Sequence, residues 1–292
     1  MNLSDCRYDG SGTFDLSNFP TSAGVGKEDK ARIEAAMDDN IARMADLQDR
    51  LYADGREGVV IMFQAMDAAG KDSTIKRVMT GLNPQGVSVY SFKQPSSEEL
   101  AHGYLWRAIT HLPRRGYIGL FNRSYYEDVL TVRVHQMQTG YKMPSRCKDL
   151  DEATFFEQRY RQIRDFERYL WENGYRLLKV MLNVGLDEQR KRFLERIDNP
   201  AKNWKFSAGD LAERKLWPQY MQAFEQAIGA TATPEAPWYV IPADQKWYAR
   251  WLVSEAVVKV LEDCDPQFPT LSDEERAKMA ECRERLINWP SE

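Results

Sequence analysis

The stretch FQAMDAAGKDST, residues 63–74, lies at the end of the apolar run GVVIMF and precedes the helix-like segment IKRVMTGL. An apolar strand followed by a Gly-Lys pair at the start of a helix is the setting of a phosphate-binding loop. The common motif is G-x-x-x-x-G-K-[ST], but here Ala65 occupies the first glycine position and Asp72 the hydroxyl position. The stretch therefore predicts a phosphate site in a loop that also carries the carboxylate of Asp67.

Backbone N–H groups of this loop are expected to point into a common anion-binding nest at the helix N-terminus. The predicted phosphate ligands of the loop are Ala68, Ala69, Gly70, Lys71, Asp72 and Ser73. Ala65 is the weak point of the motif, because the glycine that it replaces often adopts a geometry that a Cβ resists.

The two acids of the loop are explained if phosphates arrive with Mg²⁺, for which Mn²⁺ is an alternative ion. We expect Asp67 to hold the metal, directly or through water. Asp72 either substitutes for the usual hydroxyl ligand or complements the helix dipole as a first-turn acid.

Apolar segments alternate with helical patterns along the chain. The predicted strands are 58–66, 87–92, 116–122, 175–184 and 238–243, and the predicted helices are 27–54, 71–82, 96–111, 151–173, 208–229, 245–262 and 272–288, with a charged segment at 186–205. Near-continuous apolar strands separated by helices indicate a parallel sheet that is covered on both faces. The sequence therefore predicts an α/β fold, a three-layer P-loop kinase-like core with a five-stranded parallel sheet.

One domain is predicted, since the sequence has no long linker and no repeat. Residues 1–55 form an N-terminal arm and an amphipathic helix packed on the core, residues 56–265 form the core with a helical lid at about 186–211, and residues 266–292 form a C-terminal helical tail.

The composition excludes several classes of protein. A net charge of −4 and a pI of about 5.6 argue against a nucleic-acid coat or a basic membrane binder. The four cysteines show no C-x-x-C spacing and the three histidines no H-E-x-x-H pattern, so a zinc site is not expected. No segment has the pattern of a signal peptide or of a membrane span. We expect a soluble, cytoplasmic protein.

A second polar element follows the predicted third strand in GYIGLFNRSYYEDVL, residues 116–130. Ligands of such sheets bind outside the carboxyl ends of the strands, so Asn122 and Arg123 are predicted phosphate ligands, and the Arg123 fork suits phosphate oxygens. Glu127 and Asp128 are either metal ligands or solvated acids of a first helical turn.

A third element is the basic segment 186–211, which carries Arg190, Lys191, Arg192, Arg196, Lys202 and Lys205. A segment of this kind between two strands either closes as a lid that brings cations to a transferring phosphoryl group, or forms a salt-bridged surface helix with the acids beside it.

Together these elements resemble the family-2 polyphosphate kinases. The matching stretches are AMDAAGKDST, NRSYYEDVL, RFLERIDNPAKNWKFSAGDL with KLWPQYMQAFE, and APWYVIPADQKWYAR, within about 30–262. The resemblance implies Mg²⁺-dependent transfer of the terminal phosphate of inorganic polyphosphate to a nucleotide, or the reverse. It implies catalytic roles for Asp67, Lys71, Arg123, Arg196 and Asp210. Many members carry Asp where this chain has Asn122, which puts direct metal binding at that position in doubt.

Further expectations follow from the resemblance. The motif version here looks like the subgroup that accepts both AMP and ADP, and adenine or guanine nucleotides are the expected partners. A homo-oligomer, dimer or tetramer, is expected. Arg133, Lys202 and Lys205 are predicted to line the path of the polyanion. Trp106, Trp204 and Trp217 are candidates for stacking on a base, although core packing is the more common role. The alternatives are an ATP-dependent nucleotide kinase on the same core and a non-catalytic sensor of polyphosphate or nucleotide.

Overall fold

A six-stranded sheet forms the centre of the molecule. The structure is a computed structural model and describes residues 1–289. The strands are β1 (Arg7–Tyr8), β2 (Gly58–Ala65), β3 (Val87–Ser91), β4 (Ile118–Asn122), β5 (Tyr175–Asn183) and β6 (Trp238–Pro242). Their order across the sheet is β1-β6-β5-β2-β4-β3, and β2 to β6 pair in parallel. The five parallel strands confirm the predicted α/β core.

Strand β1 was not predicted, because it lies in the arm that the composition marks as irregular. It pairs antiparallel with β6 through Arg7 opposite Tyr239 and Tyr8 opposite Trp238. Two residues are too few to give an alternating hydrophobic pattern, so this strand is defined by its partner rather than by its own sequence.

Helices cover both faces of the sheet. They are α1 (Lys30–Asp54), α2 (Lys71–Val78), α3 (Ser97–Ala101), α4 (Trp106–Ile109), α5 (Thr131–Val134), α6 (Ser145–Lys148), α7 (Glu152–Glu172), α8 (Leu186–Asp198), α9 (Ala208–Lys215), α10 (Trp217–Thr231), α11 (Lys246–Asp263) and α12 (Asp273–Ile287).

Two predicted helices are each divided in the structure. The predicted helix 96–111 is wrong as a single element, because His102 is extended and separates α3 from α4. The predicted helix 208–229 consists of α9 and α10, and Pro218 in the first turn of α10 starts the second helix anew. A proline has no N–H to donate, so it fits the first turn of a helix, where the N–H groups have no partner within the helix. In the middle of a helix it would interrupt the backbone hydrogen bonds.

The amphipathic pattern of residues 27–54 does form a long helix. Helix α1 buries Ile33, Met37, Met44 and Leu51 and packs along α11. It ends at Gly55, whose φ of 67° is left-handed and favours glycine.

None of the residues of the C-terminal helix α12 is buried, which also holds for the shorter helices α3, α6 and α9. Across residues 1–289, no helix is both long and apolar enough to cross a bilayer.

The parallel strands bring the polar segments of the sequence together. The run Gly58–Phe63 of β2 is buried and lies between β4 and β5. Parallel strands end at the same edge of a sheet, so the loops after β2, β4, β5 and β6 meet there, as expected for a ligand site in this class of fold.

Candidate active site

A cleft of about 840 Å³ lies at this carboxyl edge of the sheet. Nine basic side chains and three carboxylates line it. The basic residues are Lys71, Lys93, Arg123, Arg192, Arg196, Lys202, Lys205, Lys246 and Arg250, and the acids are Asp67, Asp72 and Glu195. The protein as a whole is acidic, so this excess of positive charge is local and suits a polyanion.

The phosphate loop tolerates alanine at its first position, because Ala65 lies in regular strand geometry. Ala65 is the last residue of β2 and pairs with Leu182 of β5. Left-handed geometry occurs further along the loop, at Ala68 with φ 59° and at Gly70 with φ 106°. The left-handed backbone geometry that was expected at position 65 is therefore found at Ala68 and at Gly70, which precedes α2.

Arg192 of α8 fastens the loop to the next strand end, a role that the sequence did not reveal. Its guanidinium is buried and donates to the carbonyl oxygens of Ala68 at 3.0 Å and Ala69 at 2.6 Å. It also donates to the carbonyls of Ala243 at 2.6 Å and Asp244 at 3.1 Å, beyond β6. A cation that binds loop carbonyls from behind leaves the N–H groups free for anions in front.

Lys71 extends back along the loop. Its Nζ donates to the carbonyl oxygen of Ala65 at 2.9 Å. Burial, with the positive charge of Arg123 as the second cause, lowers the pKa of Lys71 to about 8, while the carboxylates of Asp67, Glu127 and Asp72 oppose this shift. The lysine therefore remains largely protonated at neutral pH and can bind phosphate oxygens as a point charge.

Arg123 lies between two carboxylates at the end of β4. Its guanidinium is 3.4 Å from Asp67 Oδ1 and 3.8 Å from Glu127 Oε2, and the negative charge of Glu127 is the main cause of its raised pKa. Its backbone has a φ of 63°, and its N–H donates to the carbonyl of Phe63 at 2.9 Å. The bonded backbone fixes a side chain that is otherwise half-exposed.

The presence of asparagine at position 122 is explained by its contact with Asp72. Its Nδ2 donates to Asp72 Oδ1 at 2.9 Å. An aspartate at position 122 has no donor when ionised and would set two carboxylates against each other. The asparagine therefore matches Asp72, and the pair joins the end of β4 to the first turn of α2.

Asp67 has the surroundings that a Mg²⁺ ligand needs. Its carboxylate lines the cleft and also a second cavity of about 240 Å³, which Glu127 lines as well. Among residues 1–289 there is no cluster of three or more His, Cys, Asp or Glu side chains that could hold a metal. Mg²⁺ bound with phosphates needs only one or two carboxylates, so Asp67, with Glu127 beside it, fits that ion.

A pair of charged residues joins the two helices of the basic segment 186–211. Arg196 Nη1 lies 3.3 Å from Asp210 Oδ2, and this contact joins α8 to α9. Burial, followed by the nearby Asp67, raises the pKa of Asp210. Lys202 and Lys205 line the same cleft, and Lys202 pairs with Glu195.

Three of the predicted site residues, Asp128, Arg133 and Asp210, line neither cavity, although Asp210 contacts Arg196, which lines the cleft. Asp128 lines neither cavity and lies 3.3 Å from the Tyr141 hydroxyl and 3.9 Å from Arg159, and burial raises its pKa to about 6. Arg133 donates to the Tyr160 hydroxyl at 2.7 Å. Asp128 lies in the turn after β4 and Arg133 on α5, and both side chains are bonded to other protein groups, so the geometry favours packing roles over metal and polyanion binding.

A buried polar network behind the cleft holds the segment that follows Arg123. The carboxylate of Glu167 on α7 accepts from the hydroxyls of Tyr125 at 2.9 Å and Tyr126 at 2.8 Å, and from Lys179 Nζ at 2.6 Å. Both charged side chains are fully buried. The signal in the sequence was a lysine inside the apolar strand YRLLKVMLNV, which calls for a buried partner.

The sheet, the loop after β2 and the basic lid define a chain of the P-loop kinase-like class. Comparison with known proteins identifies the family. The sequence model of Polyphosphate kinase 2 (PPK2) matches residues 27–269. The chain belongs to this family, as the sequence motifs predicted.

Relatives match along nearly the whole chain. An ADP-polyphosphate phosphotransferase of Rhodopseudomonas palustris is 44% identical over 273 residues, 94% of each chain. An AMP/ADP-polyphosphate phosphotransferase of Meiothermus ruber is 47% identical over 261 residues, 88% of this chain and 92% of the relative. The crystal structure of Polyphosphate Kinase 2 from Arthrobacter aurescens TC1 matches with a TM-score of 0.83 and 39% identity, covering 96% of this chain and 97% of that one.

Proposed function

We propose that this protein transfers the terminal phosphate of inorganic polyphosphate to AMP and ADP, in a reversible reaction. The observation that carries the proposal is the cleft in which nine basic side chains surround the phosphate loop of a polyphosphate kinase 2 fold. A donor with a charge on every phosphate explains why so many cations gather at one site. The names of the relatives from Rhodopseudomonas palustris and Meiothermus ruber support AMP and ADP as acceptors.

The chemistry needs positioning and positive charge more than a base. A terminal phosphate oxygen of the nucleotide is ionised at neutral pH, so it can attack the end phosphorus of the polyphosphate in line without losing a proton first. The loop N–H groups and Lys71 hold the transferring group, and Arg123 spans donor and acceptor phosphates. Arg196 supplies charge from the lid when it closes.

Mg²⁺, or Mn²⁺ in its place, completes the proposed site. When bound, the ion neutralises charge on the phosphate oxygens. Asp67 would hold it, with Glu127 as the second carboxylate. Asp210 keeps Arg196 in place, and Lys202 and Lys205 accept the outgoing polyphosphate chain.

Two further expectations belong to this proposal. Adenine or guanine nucleotides are the predicted substrates, and the lining of the cleft, which consists mainly of groups that bind phosphates, supports nucleotides as a class. A homo-oligomer remains a prediction, which light scattering of the purified protein would check.

A matrix of donors and acceptors tests the proposal. Purified protein with Mg²⁺ receives polyphosphate or ATP as the donor and AMP, ADP or GDP as the acceptor, and chromatography reads the nucleotides. We expect ATP from AMP and polyphosphate, with ADP in between. AMP phosphorylated by ATP and not by polyphosphate would refute the proposal. Lys71→Ala is the matched variant, and it should lower turnover about 100-fold or more, in line with the loss of a preorganised transition-state contact.

A further inference from the structure

Trp204 is an exposed tryptophan in the lining of the cleft. It lies in the turn Asn203–Lys205 of the lid, lines the cleft and is 78% exposed, more than any other large apolar side chain that the structure describes. Core packing at this position, the more common role of a tryptophan, is therefore wrong. Tryptophan is enriched where its surface becomes covered on binding, because a large apolar ring in water is unfavourable.

The indole ring is held in a defined orientation. Its Nε1–H donates to the carbonyl of Ala201 at 3.1 Å, so the polar edge already has a partner. The ammonium of Lys205 lies 4.9 Å from the ring centroid and covers one face. Among residues 1–289 no second cation covers the ring, and the high exposure of the side chain leaves its opposite face available to a flat apolar group.

Only one of the two substrate classes can cover that face. Polyphosphate has no apolar surface, whereas a nucleotide carries a planar aromatic base. Phe92 is the other aromatic residue among the described residues that line the cleft, and it is only 2% exposed because it packs against Tyr90 and Phe121. Trp204 is thus the aromatic plane of the cleft that a base can reach.

We propose that Trp204 stacks on the base of the nucleotide substrate. The inference rests on the proposed function for the class of ligand. It would let the site accept either adenine or guanine, since stacking tolerates any base with a π-face. Because Trp204 is on the same segment as Arg196 and Lys202, stacking would hold the lid down while its cations face the phosphates.

Calorimetric titration of Trp204→Ala and Trp204→Phe with ADP and with pyrophosphate tests the proposal. Pyrophosphate shares the phosphates of ADP and lacks the base. We expect Trp204→Ala to weaken ADP binding by about 5- to 150-fold, the range for loss of one stacked base, and to leave pyrophosphate binding unchanged. Trp204→Phe keeps an aromatic plane and should retain most of the ADP affinity. Trp171→Ala removes a 43% exposed tryptophan outside the cleft and should change neither affinity.

Two results would overturn the stacking role. Unchanged ADP binding in Trp204→Ala would show that the base does not touch the ring. An equal loss for ADP and pyrophosphate would show that Trp204 acts on the phosphates or on lid folding. The titrations need no turnover, so they are independent of the donor and acceptor matrix. If polyphosphate is not a donor but Trp204→Ala loses affinity for ADP alone, the proposed function fails and the stacking role stands.

Discussion

Replacing Arg192 should both destabilise the fold and slow the reaction, because this side chain joins the phosphate loop to the end of β6. Arg192→Met keeps an unbranched apolar stem and removes the hydrogen-bond donors of the side chain. Four backbone carbonyls, those of Ala68, Ala69, Ala243 and Asp244, then lose a charged partner.

The size of the effect follows from these contacts. Hydrogen bonds to charged groups contribute about 1.5–3 kcal/mol each. The four bonds share one guanidinium whose burial is itself costly, so their contributions do not add. Breaking a buried charged contact typically costs about 3–5 kcal/mol, and we expect a loss of that size for Arg192→Met. The thermal midpoint should fall by on the order of 10 °C.

Urea and thermal unfolding, followed by circular dichroism, measure the loss. Arg190→Met is the matched control, since Arg190 lies on the same helix and is 64% exposed, and its one ion pair among the described residues is with Asp187 at 3.6 Å. That change should cost less than about 0.5 kcal/mol. Turnover of Arg192→Met, measured well below its midpoint, should fall about 100-fold, as expected for a loop displaced by about 1 Å. If the two variants unfold with the same free energy, Arg192 does not fasten the loop.

Three further predictions concern charged groups of the site and its support. The kcat/KM for polyphosphate should fall as the pH rises through about 8, where Lys71 of the free enzyme loses its proton, and a pH–rate profile without this decline would contradict the assignment. The same shift affects stability, because the pKa of Lys71 is lower in the folded chain than its ordinary value of 10.5: the cost of burying the ammonium is present below pH 8 and is relieved between 8 and 10.5. Lys179→Met should cost about 3–5 kcal/mol of unfolding free energy, because it leaves the buried Glu167 carboxylate without its cation. Adding Glu167→Leu should recover part of that loss in a double-mutant cycle, and strictly additive losses would show that the two groups are not coupled. Asn122→Asp should raise the KM for polyphosphate several-fold by opposing Asp72, and the swap Asn122→Asp with Asp72→Asn should restore it; a swap no better than the single change would argue against the pairing.

The sequence predicted the fold well because its strongest signals are local. Buried parallel strands read as continuous apolar runs, and the Gly-Lys pair after the first of them identified the edge of the sheet where ligands bind. The sequence could not predict features that depend on contacts between residues far apart in the chain. The sequence placed Arg192 among six cations of the predicted lid. In the structure its guanidinium is buried and binds carbonyl oxygens of the phosphate loop. Asp128 and Glu127 are adjacent in sequence, but only Glu127 faces a cavity, because the turn after β4 directs the two side chains to different sides.

The acids of the phosphate loop have a function that no motif states. Burial and the charge of Arg123 both lower the pKa of Lys71, and the neighbouring carboxylates of Asp67, Glu127 and Asp72 act against them. Without these acids, burial and the charge of Arg123 would lower the pKa of Lys71 further, and the lysine would be less protonated at neutral pH. The carboxylates therefore help to keep Lys71 protonated. The same reasoning explains Asn122: an amide satisfies Asp72 without adding a charge, so the balance between acids and bases around Lys71 is preserved.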